Sequence, residues 1–314
     1  MQIVVLDGYT LNPGDLNWDS LNELGEVQIY DRTNPEELHD RIKNADVILL
    51  NKVKLNREAI GITKAKYIGV LATGYDVVDI EAARDKGIIV TNVPTYGTYS
   101  VAQLTFSHIL NIFSNVSVHI DSVAKGEWES NPDWSYWKTD LNELSGKTIG
   151  IIGYGRIGQT VGNMAEAFGM NVIAIKTSRN KSNDNRFVVL DELLSRSDVI
   201  SLHCPLTAET NKIINEKNIE KMKDGVVIIN TSRGGLIEEQ DLANALNSGK
   251  VRAAGIDVVS EEPIKEYNPL LLSKNTYITP HIAWASKEAR IKLMKVVVDN
   301  LISFINNNPK NIVN

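Results

Sequence analysis

The chain has 314 residues, of which 43% are hydrophobic and 23% are charged, and its formal net charge at pH 7 is -6. This length suits two domains, and the composition is ordinary for a folded globular protein. The negative charge and the lack of a dense Lys/Arg run argue against a nucleic-acid-binding or anionic-membrane surface.

The first part of the chain alternates strand-like and helix-like segments. Apolar runs typical of buried strands occur at residues 3–6, 46–50, 67–71 and 88–90. This alternation predicts an α/β fold, with a parallel sheet covered on both faces by helices.

The stretch from Ser100 to Lys125 predicts one long helix, because it lacks Pro and Gly and repeats apolar residues every three or four positions. After the aromatic stretch NPDWSYW, strand-like runs resume at residues 148–152, 171–175, 198–202, 226–230, 253–259 and 276–279. These six runs predict a second, larger parallel sheet. The last helix-like segment, SKEARIKLMKVVVDNLISFINNN, is expected to return to the first lobe. We therefore predict two Rossmann-like lobes, residues 1–98 plus 286–314 and residues 99–285.

Several other classes lose their usual sequence signals. Cys204 is the only cysteine, so no intrachain disulfide can form, and no CxxC, HExxH, GxSxG or Walker-type motif is present. No apolar run approaches the roughly 20 residues of a membrane helix, and the N-terminus MQIVVLDGYT lacks a signal-peptide pattern. We expect a cytoplasmic protein without a bound metal.

The strongest motif is the glycine-rich sequence that follows the run at 148–152. It comprises Gly153, Tyr154, Gly155, Arg156, Ile157 and Gly158, between a predicted strand and a predicted helix. In that context the three glycines permit a tight turn, close approach of a pyrophosphate, and close helix–strand packing. Backbone N–H groups at the helix N-terminus then face the phosphate charge. The alternative is a glycine-rich turn that binds nothing.

The residues after the next strand bear on the choice of dinucleotide. An acidic residue usually binds the ribose hydroxyls of NAD about 20 positions after the glycines. Here the strand is followed by Lys176, Thr177, Ser178 and Arg179. Their hydroxyls and positive charges suit a 2′-phosphate, which slightly favours NADP(H) over NAD(H). The alternative is that these residues are solvated and that NAD(H) binds.

Nearly the whole chain resembles the D-isomer-specific 2-hydroxyacid dehydrogenase family, most of all its glycerate dehydrogenase or hydroxypyruvate reductase branch. The resemblance lies in several motifs in the family's order, which are LATGYDVVDIEAARDKGIIVTNVP (71–94), SVAQ (100–103), GIIGYGRIGQ, LHCPLTAET (202–210), INTSRGGLIEE (229–239), GIDVVSEEP (255–263) and TPHIAWAS (279–286). It implies a discontinuous, flavodoxin-like substrate domain at residues 1–98 plus 286–314. Residues 99–285 would form the dinucleotide-binding domain.

The resemblance also implies a catalytic trio of Arg233, Glu262 and His281. Reduction of a 2-keto acid places negative charge on the carbonyl oxygen, so a histidine that titrates near neutral pH is a suitable proton donor. A carboxylate on its other ring nitrogen fixes the tautomer and stabilises the protonated ring, which is the role of Glu262. Arg233 offers a planar fork of donors for the substrate carboxylate and the ketone oxygen. We assign no catalytic role to the other histidines.

Further site residues follow from the same resemblance. The segment His203, Cys204 and Pro205 lines the cofactor site, together with Thr231, Ser232, Asp257 and Ala283. The substrate carboxylate is held by backbone N–H groups of Leu71, Ala72, Thr73 and Gly74, near Asn51 and Lys52. For Lys52, a solvent-facing role is equally well supported. Trp134 and Trp137 could cover a substrate or pack against a second subunit, and we favour the subunit, since the resemblance implies a homodimer.

The predicted activity is hydride transfer between NAD(P)H and a small 2-keto acid. Hydroxypyruvate and glyoxylate, reduced to D-glycerate and glycolate, are the expected substrates. One alternative is a nucleotide-sensing, corepressor-like binding protein on the same fold. Another is the same fold acting on phosphite, formate or an aromatic keto acid.

Overall fold

The structure is a computed structural model, and it describes residues 1–175 and 184–314. These residues divide into two compact units, Met1–Gly97 with Ala285–Asn314, and Thr98–Trp284. Each unit contains its own sheet of parallel strands. The predicted α/β class with two parallel sheets is confirmed.

The first unit contains a five-stranded sheet with helices between the strands. Its elements are β1 (Gln2–Val5), α1 (Asp19–Asn22), β2 (Glu26–Ile29), α2 (Pro35–Ile42), β3 (Val47–Leu50), α3 (Arg57–Ile62), β4 (Tyr67–Val70), α4 (Ile80–Asp85) and β5 (Ile89–Thr91). The strand order is β2-β1-β3-β4-β5, which is the flavodoxin-like order. Every residue of β3 and β4 is buried, because both faces of the sheet are covered by helices.

The second unit is larger and begins with two consecutive helices. Its elements are α5 (Thr98–Ser114), α6 (Val116–Ala124), β6 (Thr148–Ile152), α7 (Arg156–Ala167), β7 (Asn171–Ile175), β8 (Phe187–Val188), α8 (Leu190–Arg196), β9 (Val199–Leu202), α9 (Glu216–Glu220), β10 (Val226–Asn230), α10 (Glu239–Ser248), β11 (Val251–Ile256) and β12 (Thr276–Ile278). The order is β12-β11-β10-β9-β6-β7-β8. The sheet is doubly wound, and its strand order reverses between β6 and β9. Ligands of such sheets bind beyond the carboxyl ends of the strands at that point.

The last helix, α11 (Lys287–Ile305), belongs to the first unit. Ser286 caps its N-terminus by accepting a hydrogen bond from Ala289 N. Arg290 is buried in the first turns and forms two 2.7 Å hydrogen bonds with the carboxylate of Asp15. Within the described residues, no helix is long and apolar enough to cross a membrane.

Three details differ from the sequence-based expectations. The long helix predicted from Ser100 to Lys125 is wrong, because Asn115 adopts a left-handed conformation (φ 45, ψ 42) that separates α5 from α6. Asn tolerates this conformation better than most residues do. Strand β2 was not predicted, and the short strand β8 gives the second sheet seven strands in the described residues instead of six.

Candidate active site

The glycine-rich loop lies at the point where the strand order of the second unit reverses. Gly153 has φ +104, and a Cβ there would lie 2.5 Å from the backbone N of Cys204. A Cβ on Gly158 would lie 2.2 Å from the carbonyl oxygen of Gly153. Both positions therefore require glycine. Gly153 is needed for the turn and for its close approach to the segment at Cys204, and Gly158 is needed for packing of α7 against the loop.

Gly155 differs from these two glycines, because a Cβ there would meet no atom within 4 Å. It is exposed and is the N-cap residue of α7, whose first N–H groups have no acceptor within the helix. The loop thus leaves open space over a helix N-terminus, and a side chain at Gly155 would fill that space. This geometry fits the pyrophosphate of a dinucleotide.

The other residues of this motif have separate places. The Tyr154 ring lies edge-on to Phe187 at 5.7 Å, and its hydroxyl accepts a hydrogen bond from Arg186. Arg156 is exposed at the first position of α7, and Ile157 packs against the core beneath it. The Tyr154 side chain is therefore used in packing, so the part of Tyr154 available to a ligand is its backbone.

The segment after β9 runs beside the glycine loop. His203 N donates to the Ile152 carbonyl oxygen at 2.8 Å, and its ring Nε2 lies 2.8 Å from Ser201 Oγ. Burial lowers the pKa of His203 to about 3, so the ring is neutral at physiological pH. Cys204 packs in the hydrophobic core, and burial raises the pKa of its thiol to about 11. Pro205, the next residue, is exposed.

Thr231 and Ser232 follow β10, and their side chains form hydrogen bonds with α5 and with the loop after β9. Thr231 Oγ1 lies 3.0 Å from the hydroxyl of Thr105 on α5. Ser232 Oγ donates to the carbonyl oxygen of Cys204 at 2.9 Å. The loop after β10 is thereby fixed to the loop after β9. The loop after β9 in turn lies against Gly153.

His281 and Glu262 form a hydrogen-bonded pair. Nδ1 of His281 lies 2.7 Å from Oε2 of Glu262, and the side chains remain 26% and 34% exposed. His281 has φ +54, a conformation that is uncommon for a residue with a side chain. Its own N–H donates to the carbonyl oxygen of Asp257 at 2.9 Å, which holds this backbone in place. The ring therefore has one nitrogen bound to a carboxylate and the other available for proton transfer.

Asp257 is 1% exposed and binds the loop that contains His281. Its carboxylate accepts hydrogen bonds from Thr279 Oγ1 at 2.5 Å, Ile282 N at 2.9 Å and Ala283 N at 2.9 Å. Thr279 Oγ1 also lies 3.2 Å from Nε2 of the buried His108 on α5. The side chain of Asp257 is therefore used to shape the 279–283 turn, and Ala283 enters this network through its backbone.

Arg233 follows β10 at the same edge of the sheet, because β10, β11 and β12 are parallel neighbours. Gly234 brings this segment against the chain that leads to Glu262, since a Cβ on Gly234 would lie 2.0 Å from the backbone of Val259. The Arg233 guanidinium is partly exposed and donates one hydrogen bond, to Ser232 O at 2.8 Å. The structure thus places all three predicted catalytic residues beyond the carboxyl ends of adjacent strands.

One buried acidic residue of this region was not predicted from the sequence. Glu239, at the start of α10, is 9% exposed. Its carboxylate accepts hydrogen bonds from Ser260 N and Oγ, both at 2.7 Å, and from Asn268 Nδ2 at 3.0 Å. It therefore anchors the segment containing Glu262. Its place beside Glu238 in the motif INTSRGGLIEE was the available signal, but the sequence does not show which of the two is buried.

In the first unit, the predicted substrate residues follow β3 and β4, which are also parallel neighbours. Asn51 is buried, and its side chain donates to Thr10 Oγ1 at 3.2 Å, whereas Lys52 is exposed. Leu71 is buried and Thr73 is exposed. A separate set of hydrogen bonds fixes this second loop, namely Leu71 N to Leu50 O, Val93 N to Ala72 O, Thr73 Oγ1 to Val93 O and Asn92 Nδ2 to Thr73 O. Gly74 follows, partly buried.

Lys176, Thr177, Ser178 and Arg179, the residues predicted to select the dinucleotide, lie outside the described residues. Among residues 1–175 and 184–314, no group of three or more His, Cys, Asp or Glu side chains could hold a metal ion.

Comparisons with known proteins agree with this site. Residues 106–283 match the sequence profile of the D-isomer specific 2-hydroxyacid dehydrogenase NAD binding domain. The chain is 56% identical to a hydroxypyruvate reductase of Blautia hydrogenotrophica, over 100% of both proteins. It is 36% identical to a glycerate dehydrogenase of Methylorubrum extorquens, over 99% of this chain and 98% of that one. Among solved structures, an acyclic imino acid reductase in complex with NADPH and D-Arg has 33% identity and a TM-score of 0.87, with 100% of both chains covered. The chain therefore belongs to the D-isomer specific 2-hydroxyacid dehydrogenase family.

Proposed function

We propose that this protein is an NAD(P)H-dependent reductase of small 2-keto acids whose preferred substrate is hydroxypyruvate. The observation that carries the proposal is the 2.7 Å contact between His281 and Glu262, at the sheet edge that also contains the glycine loop. A relative with 56% identity over its whole length is a hydroxypyruvate reductase, and a further relative is a glycerate dehydrogenase. A nucleotide-sensing protein would need neither the pair nor Arg233, so that alternative is not favoured.

The residues of the second unit suit proton transfer to a carbonyl oxygen. The reduced nicotinamide supplies a hydride to the carbonyl carbon when the dinucleotide is bound. His281 donates its Nε2 proton to the carbonyl oxygen, which becomes the hydroxyl of the 2-hydroxy acid. Glu262 holds Nδ1–H and stabilises the positive charge of the ring before the proton leaves. Arg233 binds the anionic substrate through its guanidinium fork.

The two units are proposed to have separate roles. Residues 98–284 would bind the dinucleotide, since this unit holds the glycine loop, the segments His203–Pro205 and Thr231–Ser232, and the residues Asp257 and Ala283. The first unit would bind the substrate carboxylate through the backbone of residues 71–74 and through Lys52. Cytoplasmic location stays a prediction from the sequence.

The chain binds a nicotinamide dinucleotide, and we propose NADP(H) as the slightly preferred form. The support is the sequence of residues 176–179, which carries two cations and two hydroxyls and no carboxylate. Lys176→Asp would introduce the acidic residue that suits the ribose hydroxyls of NAD. It is expected to lower kcat/KM for NADPH and raise it for NADH.

The decisive assay follows the absorbance of reduced nicotinamide, with NADH and NADPH tested in parallel. The keto acids are hydroxypyruvate, glyoxylate, pyruvate and phenylpyruvate. We expect the highest kcat/KM with hydroxypyruvate and a lower value with glyoxylate. A higher value with phenylpyruvate would move the substrate to an aromatic keto acid. Dinucleotide binding without turnover of any keto acid would overturn the proposed reaction.

We also propose that the protein is a homodimer and that the face around α6 forms the interface. Several large apolar side chains are exposed there, namely Val116 (55%), Ile120 (62%), Trp134 (88%), Trp137 (69%) and Leu141 (55%). The aromatic segment is tied to α6, because Tyr136 OH lies 2.6 Å from Ser122 Oγ and Lys138 N donates to His119 Nε2 at 3.1 Å. Large apolar side chains that are exposed in this way suit an interface.

The oligomer proposal is tested by light scattering after size-exclusion chromatography. The wild-type protein is expected to elute as a dimer and Ile120→Asp as a monomer. Leu272→Asp is the matched control, because Leu272 is 90% exposed and belongs to a different segment, the 3-10 helix Pro269–Leu272. A monomeric wild-type protein, or a dimer that survives Ile120→Asp, would contradict the proposed interface.

A further inference from the structure

The carboxylate of Asp7 binds the loop that follows β3. It accepts hydrogen bonds from three consecutive backbone N–H groups, those of Asn51 at 2.7 Å, Lys52 at 2.5 Å and Val53 at 3.1 Å. We propose that Asp7 is a positioning residue that fixes this loop so that the Lys52 ammonium is available to the carboxylate of the keto acid. The inference rests on the proposed function, because it gives Lys52 a substrate to bind.

The sheet explains why Asp7 and this loop meet. Strands β1 and β3 are parallel neighbours, with Ile3 opposite Val47 and Val5 opposite Leu49. Leu6 N still donates to Leu49 O at 2.9 Å, so the two chains leave the sheet side by side. Beyond that point the N–H groups of residues 51–53 have no strand partner, and an unpaired backbone donor is costly when it is removed from water. The Asp7 side chain takes up all three.

A second contact fixes the same loop. Asn51 is 3% exposed, and its Nδ2 donates to Oγ1 of Thr10, in the short 3-10 helix Gly8–Thr10 that follows Asp7. The side chain of Asn51 therefore points into the protein and is held there. Lys52, the next residue, is exposed as a consequence of this anchoring.

The charge arrangement gives the contact a functional meaning. The backbone N–H of Lys52 donates to the Asp7 carboxylate, and a lysine side chain so close to a carboxylate can form an ion pair with it. Here the oxygens of Asp7 are engaged by backbone N–H groups, and the Lys52 ammonium makes no hydrogen bond or ion pair within the described residues of its unit. The loop thus presents a free cation at the carboxyl end of β3, next to the loop at residues 71–74 that follows β4.

Asp7→Asn tests the inference, because it keeps the shape of the side chain while replacing one acceptor oxygen with an NH2 donor. That donor would face at least one backbone N–H group, so the loop must move. We expect KM for hydroxypyruvate to rise by about 10-fold or more, the size associated with loss of a charged hydrogen-bond anchor. The kcat value and the Kd for the reduced dinucleotide should stay within about threefold of wild type.

Asp46→Asn is the matched control. Asp46 Oδ2 accepts a hydrogen bond from Gln2 N at 2.8 Å. It therefore also links β1 to β3, but at the amino ends of these strands, whereas Asp7 lies at their carboxyl ends. This variant removes a similar carboxylate–backbone contact and should lower the melting temperature without changing KM. An equal rise of KM in both variants, or an unchanged KM in Asp7→Asn, would overturn the inference.

A double-mutant cycle with Lys52→Met separates positioning from general stability. If Asp7 acts through Lys52, Asp7→Asn should raise KM only when Lys52 is present, so the two effects should not add. Full additivity would exclude Lys52 as the group that Asp7 positions. Thr10→Val, which removes the second anchor, should raise KM in the same direction and replaces Asp7→Asn if that variant does not fold. Lack of turnover by the wild-type enzyme would instead remove the proposed function together with this inference.

Discussion

Gly155→Ala separates binding of the dinucleotide from stability of the fold more sharply than any other change in the glycine loop. A Cβ at this position would have no protein atom within 4 Å, and the backbone angles (φ -82, ψ -160) are extended and permitted for alanine. The new methyl group would occupy only the open space above the N-terminus of α7. Any loss of affinity therefore reports on what normally fills that space.

The two neighbouring glycines give the opposite expectation. A Cβ on Gly158 would lie 2.2 Å from the carbonyl oxygen of Gly153, and one on Gly153 would lie 2.5 Å from the backbone N of Cys204. Backbone atoms cannot move aside as a side chain can. Gly158→Ala should therefore cost about 1–3 kcal/mol through overpacking. Gly153→Ala adds the strain of a positive φ, at about 1–3 kcal/mol more.

For Gly155→Ala the free energy of unfolding should rise slightly, by about 0.4–1 kcal/mol, because alanine restricts the unfolded chain. Binding of the dinucleotide should lose one or two charge-assisted hydrogen bonds, at about 1.5–3 kcal/mol each, which weakens Kd by at least about 10-fold. Calorimetric titration of NADH and NADPH, with thermal unfolding of the ligand-free protein, measures both effects. An unchanged Kd together with normal stability would refute the idea that a pyrophosphate approaches Gly155.

Three further predictions concern the catalytic segments. Glu262→Gln should lower kcat for keto-acid reduction by about 10-fold or more, because the His281 ring loses the carboxylate that orients it through Nδ1; an unchanged kcat would count against the pair. Arg233→Lys should raise KM for hydroxypyruvate by about 10-fold or more, since a point charge cannot replace the fork, and wild-type kinetics would contradict that role. Burial lowers the pKa of His108 below the ordinary value of a histidine. As the pH falls below neutral, the unfolded chain therefore binds a proton at this residue before the folded protein does, and the free energy of unfolding decreases. Urea midpoints measured at about pH 7 and pH 5 should therefore differ less for His108→Gln than for wild type.

The regular part of each sheet could be predicted from the sequence, because its strands are continuous apolar runs. Strands such as β3 and β10 are buried along their whole length, which makes them visible in the sequence. Strand β2 lies at an edge and alternates exposed and half-buried residues in the sequence EVQI, and β8 has only two residues. Neither produces a signal that rises above its surroundings. The break at Asn115 was missed because apolar periodicity continues across it, while the break itself lies in the backbone of one residue.

In the candidate site, the sequence predicted which residues take part but not all of the hydrogen bonds that hold them. Motif order was sufficient to select Arg233, Glu262 and His281, and the structure places them beyond adjacent strands. Asp257, which anchors the turn of His281, was also predicted as a site residue. Glu239 and Asp7, which anchor the segments of Glu262 and Lys52, were not. Glu239 lies 21 positions from Ser260, and Asp7 lies 44 positions from Asn51. Such contacts depend on which strands become neighbours, and a single sequence does not specify that order.

The anchoring acids of the two units share one physical cause, which also explains the cations left at the strand ends of each unit. Where parallel strands end, the loops carry N–H groups that no longer have strand partners. Asp7, Asp257 and Glu239 each direct a carboxylate at such groups, so their negative charge is taken up inside the loops. The charged side chains left available at these strand ends then include Lys52 and Arg233. A chain with a net charge of -6 can in this way leave a cation accessible beyond the strands of each unit, because its acids at these positions face backbone N–H groups.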